Sequence, residues 1–249
     1  MAADKTTDVL DKQNALPLHI QFERIVRQKI EDEDWVVNSP IPSENELSRI
    51  YGLSRMTVRS VLNRLQMNGL IYRIPGKGTF IAEPKITSEP LVKYGIREQL
   101  EAMGYETSTS VIGVKKSLST LKVAKSLGLA KKVEVFTVKR VRGIKGKPLS
   151  FHVSCLPARY FRNLEKCDLE NNQMCHLIER KFKYPIRRRI ETLEATSATL
   201  EESQYLNIEP GFPLLLLENI VYTDKNLVIE YSQIKFRGDK YKIRMEYAP

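Results

Sequence analysis

Between Ser54 and Met67, Arg55, Arg59 and Asn63 recur every four residues, which puts them on one face of a helix with Thr57, Ser60 and Arg64 alongside. Guanidinium groups aligned in this way suit guanine edges or phosphate oxygens. Their surroundings favour such a partner, because residues 47–82 hold six Lys or Arg and no Asp or Glu. Cations neutralising phosphates release counterions, whereas a solvated charged face is the plainer alternative. A second constellation lies farther along, in Phe136, Val138, Arg140, Arg142 and Ile144, which share one face of a strand by its period of two. Arginines on an inward face need an anion, and their planar fork suits a carboxylate or phosphate. An edge hairpin with both arginines in solvent is the other reading. On a later strand Glu230, Ser232, Ile234 and Phe236 alternate on one face, and Glu230 could accept from a ligand's hydroxyl or amine or pair with an arginine.

The elements that must position these groups are legible from caps and turns. Pro17 opens a packing helix with Leu18, Phe22, Ile25, Val26 and Ile30 on one side. Ser43 and Glu46 form a capping box for a second helix, ahead of the Leu47 and Ile50 apolar pair, and Gly52 ends it. Ser54 caps the third helix, in which Val58, Val61, Leu62 and Leu65 are the buried stripe and Gly69 the stop. The short connection at 52–54 is that of a helix-turn-helix, and Leu70–Arg73, Pro75–Gly78 and Thr79–Ile81 read as strand, turn and strand, a hairpin wing. Residues 83–90, bounded by prolines, have the composition of a semi-rigid linker. Beyond it the pattern predicts helices over 91–103 and 118–127, and strands over 133–144, 149–156, 187–195, 214–222, 228–236 and 241–246. Thr199 and Glu202 form another capping box. Strands joined by tight turns with helices between some of them indicate an α+β domain with an antiparallel sheet. In the first hairpin, a three-residue turn at 145–147 sets Arg140 opposite His152 and Arg142 opposite Ser150, and a two-residue turn would undo that pairing.

Composition excludes several classes. With 249 residues, 42% apolar and 28% charged, the chain has room for two globular domains and is neither disordered nor collagen-like. No apolar run is long enough to cross a bilayer and the first residues lack the apolar stretch of a secretory signal, so a soluble cytoplasmic protein without a membrane partner is expected. Cys155, Cys167 and Cys175 show no CxxC spacing, and His19, His152 and His176 are scattered, so no metal and no cofactor is expected. The net charge of +10 is concentrated after residue 85, and Arg187–Arg189 reads as a solvated strand end.

The run PSENELSRIYGLSRMTVRSVLNRLQMNGLIYRIPGKGTFIA resembles the winged helix-turn-helix of the GntR family of bacterial transcription regulators. That resemblance implies DNA-binding positions at Ser54, Arg55, Thr57 and Arg59 on the recognition helix, at Gly76, Lys77 and Gly78 in the wing, and at Ser43 and Asn45 where the second helix starts. Asn45 departs from the arginine that relatives commonly carry. The segments KRVRGIKGKPLSFHVSCLPARYF, IETLEATSA and EPGFPLLLLENIVYTDKNLVIEYSQIKFRGDKY resemble the effector-binding UTRA domain of the HutC subfamily, with a chorismate-lyase-like fold. By that likeness Arg140 and Arg142 are anion-binding arginines, and His152, Glu230 and Phe236 complete the effector set. His152 replaces a frequent glutamate and Phe236 a frequent tyrosine, while Gly95 and Cys175 fall where hydroxyl-bearing residues are common. The implied organisation is a DNA-binding domain at 1–82, a linker at 83–90 and an effector-binding, dimerising domain at 91–249. The implied function is a homodimeric regulator, usually a repressor, released from a palindromic DNA operator by a small anionic metabolite such as a sugar phosphate. An enzyme using Arg140, Arg142, His152 and Glu230 as anion clamp and acid/base pair, and an architectural DNA-binding protein, are the rival readings.

Overall fold

The structure, a computed structural model, describes residues 9–88, 95–130 and 133–247. Its contacts divide the chain into two units, one of residues 1–86 with 238–240 and one of residues 87–237 with 241–249.

In the N-terminal unit, α1 (Leu18–Glu31), α2 (Glu44–Tyr51) and α3 (Arg55–Met67) pack around a core in which Phe22, Val26 and Leu47 meet Val58, Val61, Leu62 and Leu65. Those four α3 residues are fully buried at the i, i+3, i+4, i+7 spacing, each contributing ~1.5–3 kcal/mol by leaving water. Both caps form as the residue types require. The Ser43 side chain accepts from the Glu46 amide while Glu46 reaches back to the Ser43 amide, and Ser54 accepts from the Thr57 amide. Trp35 packs against this core. Ile50, paired with Leu47 in the sequence reading, points to solvent instead. Strands β1 (Ile71–Ile74) and β2 (Gly78–Ile81) form the wing. Its tip turns through Pro75 and Gly76, whose φ of 73° suits glycine at the third position of a type II turn, with Lys77 N donating to Ile74 O at 3.0 Å. The segment before α2 lies along β2, where Ile41 N donates to Thr79 O.

The second unit is built on a six-stranded antiparallel sheet ordered β4-β5-β6-β9-β8-β7. The strands are β4 (Thr107–Leu118), β5 (Glu134–Ile144), β6 (Lys147–Pro157), β7 (Ile186–Ser197), β8 (Pro213–Thr223) and β9 (Val228–Arg237). One face carries Phe136 and Val138, packed beneath Phe161, Leu164, Met174 and Ile178 from the segment between β6 and β7. The other packs against α5 (Leu121–Ser126) and α7 (Leu200–Leu206) through clusters around Leu127 and Leu206. Between β6 and β7 lie a short α6 (Met174–His176) and a π-helical turn over Leu177–Lys181, and α4 (Ile96–Ala102) precedes β4.

Several expectations change. Residues 83–90, read as linker, contain the strand β3 (Ile86–Ser88), which pairs with β10 (Tyr241–Ile243); Glu89 and Pro90 lie outside the described residues. The helix expected over 91–103 is Ile96–Ala102, its expected first four residues also lying outside the description. The one expected over 118–127 begins at Leu121 after the Thr120 cap, because Leu118 ends β4. Strand β4 itself was not foreseen: its Ser, Thr and Lys residues alternate at a half-exposed edge, and a bulge between Val111 and Gly113 breaks the period.

Candidate functional site

The polar face of α3 is built from a cap and a helix register. Ser54, Arg55, Arg59 and Asn63 are exposed and Thr57 is half-buried. Ser54 and Thr57 share a 2.8 Å hydroxyl contact. Folding brings two carboxylates to this surface, Glu23 of α1 at 3.0 Å from Arg64 and Glu44 at the arginine face. Glu44, in the first turn of α2, accepts from Arg59 Nη2 at 2.8 Å and Nε at 2.9 Å through one oxygen, and from Arg73 Nη2 at 3.0 Å through the other. The bond to Arg59, then the charges of Arg59, Arg73 and Arg55, hold the Glu44 carboxyl below its usual range against the opposing effect of burial. One carboxylate thus ties α2, α3 and the wing together. Asn45 is exposed beside it, whereas Ser43 spends its hydroxyl on the cap, which separates a structural role from any contact role. Gly76, Lys77 and Gly78 stand exposed at the wing tip.

The second site lies on the sheet face that carries the arginine pair. The turn after β5 has two residues, Lys145 and Gly146, with φ of 48° and 73° as a type I′ turn requires. Alone it would break the expected pairing. A bulge at Leu149 restores it, so that Gly143 faces Pro148 while Arg142 faces Ser150 and Arg140 faces His152. Both arginines are buried, at 3% and 5% exposure, which removes the solvent-edge alternative. Their bonds are few and long: Arg140 Nη1 donates to Leu169 O at 3.4 Å and Asn172 O at 3.5 Å, and Arg142 Nη1 to Thr109 Oγ1 at 3.3 Å. Neither Nε has a hydrogen-bond partner among the described residues.

Both groups line a cavity in which about 60 Å³ is open to the centre of a water molecule. Across β6 and β9 it is floored by His152, Ser154, Glu230 and Ser232, and roofed by Gln173 and Cys175 at the start of α6 with Gly95 at the cap of α4. A Cβ at Gly95 would meet Gln173 Oε1 at 1.8 Å, so a larger residue there would displace the Gln173 side chain. Burial, then the charges of Arg140 and Arg97, pushes Arg142 down to about 9. Burial also lowers Arg140, with Glu230 opposing. His152 is held well below 6.5, by burial first and the two arginines second, and shares a 2.8 Å hydrogen bond with Ser150. Glu230 is pushed up by burial, opposed by its bond to Ser154 and the charges of Arg189 and Arg140. The cavity therefore offers buried cationic donors and a carboxyl inclined to keep its proton, a combination suited to an anion.

The structure thus gathers Arg140, Arg142, His152 and Glu230 in one cavity but leaves Phe236 out of its wall. Phe236 is fully buried behind His152, stacked on Tyr241 with ring centroids 3.9 Å apart. Gly95 and Cys175 do line the cavity. So do Arg189 and Asn219, which the sequence reading missed. Three successive arginines read as a solvated strand end, yet β7 turns Arg189 inward opposite Val221 while Arg188 stacks on Tyr222. Arg187 and Arg188 are exposed and Arg189 half-buried, a difference that three successive arginines do not announce in the sequence.

Among the described residues no group of His, Cys, Asp or Glu could hold a metal ion, and no helix is long and apolar enough to cross a membrane.

Comparison with known proteins gives two matches along the chain. Residues 21–81 match the bacterial regulatory proteins of the gntR family, and residues 102–242 match the UTRA domain. The chain is 30% identical to the HTH-type transcriptional repressor NagR of Bacillus subtilis over 93% of its length and 95% of that protein's. It is 28% identical to the mannosyl-D-glycerate transport/metabolism system repressor MngR of Escherichia coli, over 92% of this chain and 95% of that one. Identity is also 28% to the histidine utilization repressor of Pseudomonas putida, over 93% and 92%. Among solved structures, PhnF from Mycobacterium smegmatis has the same fold, with a TM-score of 0.63 at 22% identity over 91% of this chain and 99% of that one.

Proposed function

This chain belongs to the GntR family, in its HutC-type branch with a UTRA domain, and is a DNA-binding transcription regulator rather than an enzyme; on that premise we propose that it is a repressor released from a palindromic operator by a small anionic metabolite. In this reading residues 1–82 read DNA as one of two heads of a homodimer, 83–90 connect, and 91–249 sense the metabolite and hold the dimer. Arg55, Arg59, Thr57, Ser54 and Asn45 meet the major groove, and Gly76, Lys77 and Gly78 meet the backbone or minor groove. Arg140, Arg142, His152 and Glu230 hold the effector, with Phe236 acting only as the packing behind His152. A sugar phosphate is a fitting occupant, in keeping with a relative named for mannosyl-D-glycerate transport and metabolism and one named as a probable fructoselysine utilization repressor.

The observation that carries the effector reading is the arginine pair, buried and short of hydrogen bonds. Guanidinium groups so held are incompletely satisfied by protein, and an anion would supply the missing acceptors. Release then follows from linkage: the effector must favour one arrangement of the two heads over the one that fits half-sites about 34–36 Å apart.

The test is fluorescence anisotropy on the DNA upstream of the chain's own gene, titrated with a panel of organic phosphates and carboxylates. The wild type should leave the DNA on adding one of them, whereas Arg140→Ala should bind the same DNA with unchanged affinity and fail to respond. An Arg140→Ala protein that is still released would refute the effector reading.

A further inference from the structure

The cavity has a second polar end, away from the arginines. Asn219 on β8 lines it at 3% exposure, and its Oδ1 has no hydrogen-bond partner among the described residues. An unpaired buried carbonyl costs free energy that a donor entering the cavity would recover. Its cross-strand neighbours extend the polar row, with Ser232 opposite on β9 and Ser154 opposite Ser232 on β6. Glu230 stands on the same face of β9, one pleat away. This end therefore presents acceptors and hydroxyls, with the Arg189 guanidinium of β7 beside them, where the β5 end presents the paired cationic donors.

The separation follows from the sheet order. From β5 to β8 there are three interstrand steps of ~4.8 Å, about 14 Å between backbones. Side chains stand roughly perpendicular to the sheet, so the arginine pair and Asn219 rise from well-separated strands of the cavity floor, and an occupant touching both must be longer than a bare anion.

We propose that Asn219 is a specificity-determining acceptor: it takes a hydrogen bond from a hydroxyl or amine of an organic anion whose charged end lies on Arg140 and Arg142. The effector is then a bifunctional molecule, and a bare anion fills only half of the site. This deepens the anionic-effector reading and rests on it.

The test is calorimetric titration of the full-length protein with inorganic phosphate, glucose 6-phosphate and glucosamine 6-phosphate. The readout is the ratio of hexose phosphate affinity to inorganic phosphate affinity, which a general loss of folded protein leaves unchanged. The wild-type ratio should exceed one for at least one hexose phosphate. Asn219→Leu should lower it about three- to tenfold, as expected for one neutral hydrogen bond, and Asn219→Asp, which keeps the acceptor, should preserve it. An unchanged ratio in Asn219→Leu overturns the proposal while Arg142→Met, losing at least tenfold for all three probes, keeps the anionic reading. Failure of every probe on the wild type, or undiminished binding by Arg142→Met, overturns both.

Discussion

Replacing Arg142 with methionine should stabilise the C-terminal unit while destroying its anion site. The guanidinium is 5% exposed, has one 3.3 Å bond to Thr109, leaves its Nε unpaired, and is repelled by Arg140 and Arg97. The fall from the ordinary arginine value to about 9 corresponds to roughly 5 kcal/mol favouring loss of the charge, an upper bound on its cost to the fold. Replacing a buried charged group by an apolar one of similar volume gains about 1–4 kcal/mol where partners are poor. Glu101, whose charge acts on Arg142, is not orphaned by the change, since it is already held by Arg97 and Thr107. At 2–4 °C per kcal/mol for a unit of roughly 150 residues, the expected rise in melting temperature is about 2–15 °C. Scanning calorimetry in a buffer free of phosphate and carboxylate reads it. Trp35, the one tryptophan of the chain, reports the N-terminal unit separately by fluorescence. The difference also has a pH signature. Above about 9 the unfolded arginine still holds its proton while the folded one releases it, so stability rises with pH and the advantage of Arg142→Met shrinks there; below about 9 it is fully present. A lower melting temperature for Arg142→Met at pH 7 would refute the reasoning, because the guanidinium would then be contributing to the fold rather than waiting for a ligand.

Two further outcomes follow from other groups. His152 stays neutral in the fold while its unfolded form takes a proton below about 6.5, so stability should fall as pH drops through that point, and His152→Asn should flatten the slope measured by urea melts between pH 7 and 5; an equal slope in both proteins rejects the assignment. Glu44→Gln should free Arg59 and Arg73, tighten binding to random DNA by less than about tenfold and steepen the salt dependence by about one counterion, at a stability change of under ~1 kcal/mol; an unchanged salt slope would mean that neither arginine reaches phosphate.

Much of the N-terminal unit was legible because its signals are local. The Ser43 and Ser54 caps, the Val58–Leu65 stripe and the Pro75–Gly76 turn each depend on residues within four or so positions, and the structure realises all of them. The arginine pair was legible as a two-residue period, and even its register came out as expected, though through a two-residue turn corrected by a bulge rather than a three-residue turn. Edge strand β4 escaped because a half-exposed strand is stabilised by its partner β5, more than by its own composition.

The amino-acid order by itself determined the three helices and the wing turn of the N-terminal unit and that Arg140 and Arg142 share a face, since caps, glycine turns and alternation act over a few bonds. Tertiary structure alone decided what surrounds those side chains: that Glu44 meets Arg59 across 15 positions, that Arg189 turns into the cavity, and that Asn219 enters it while Phe236 is packed behind. Those choices depend on strand order and register across the whole sheet, and a pairing between residues tens of positions apart leaves no trace in the spacing of either one.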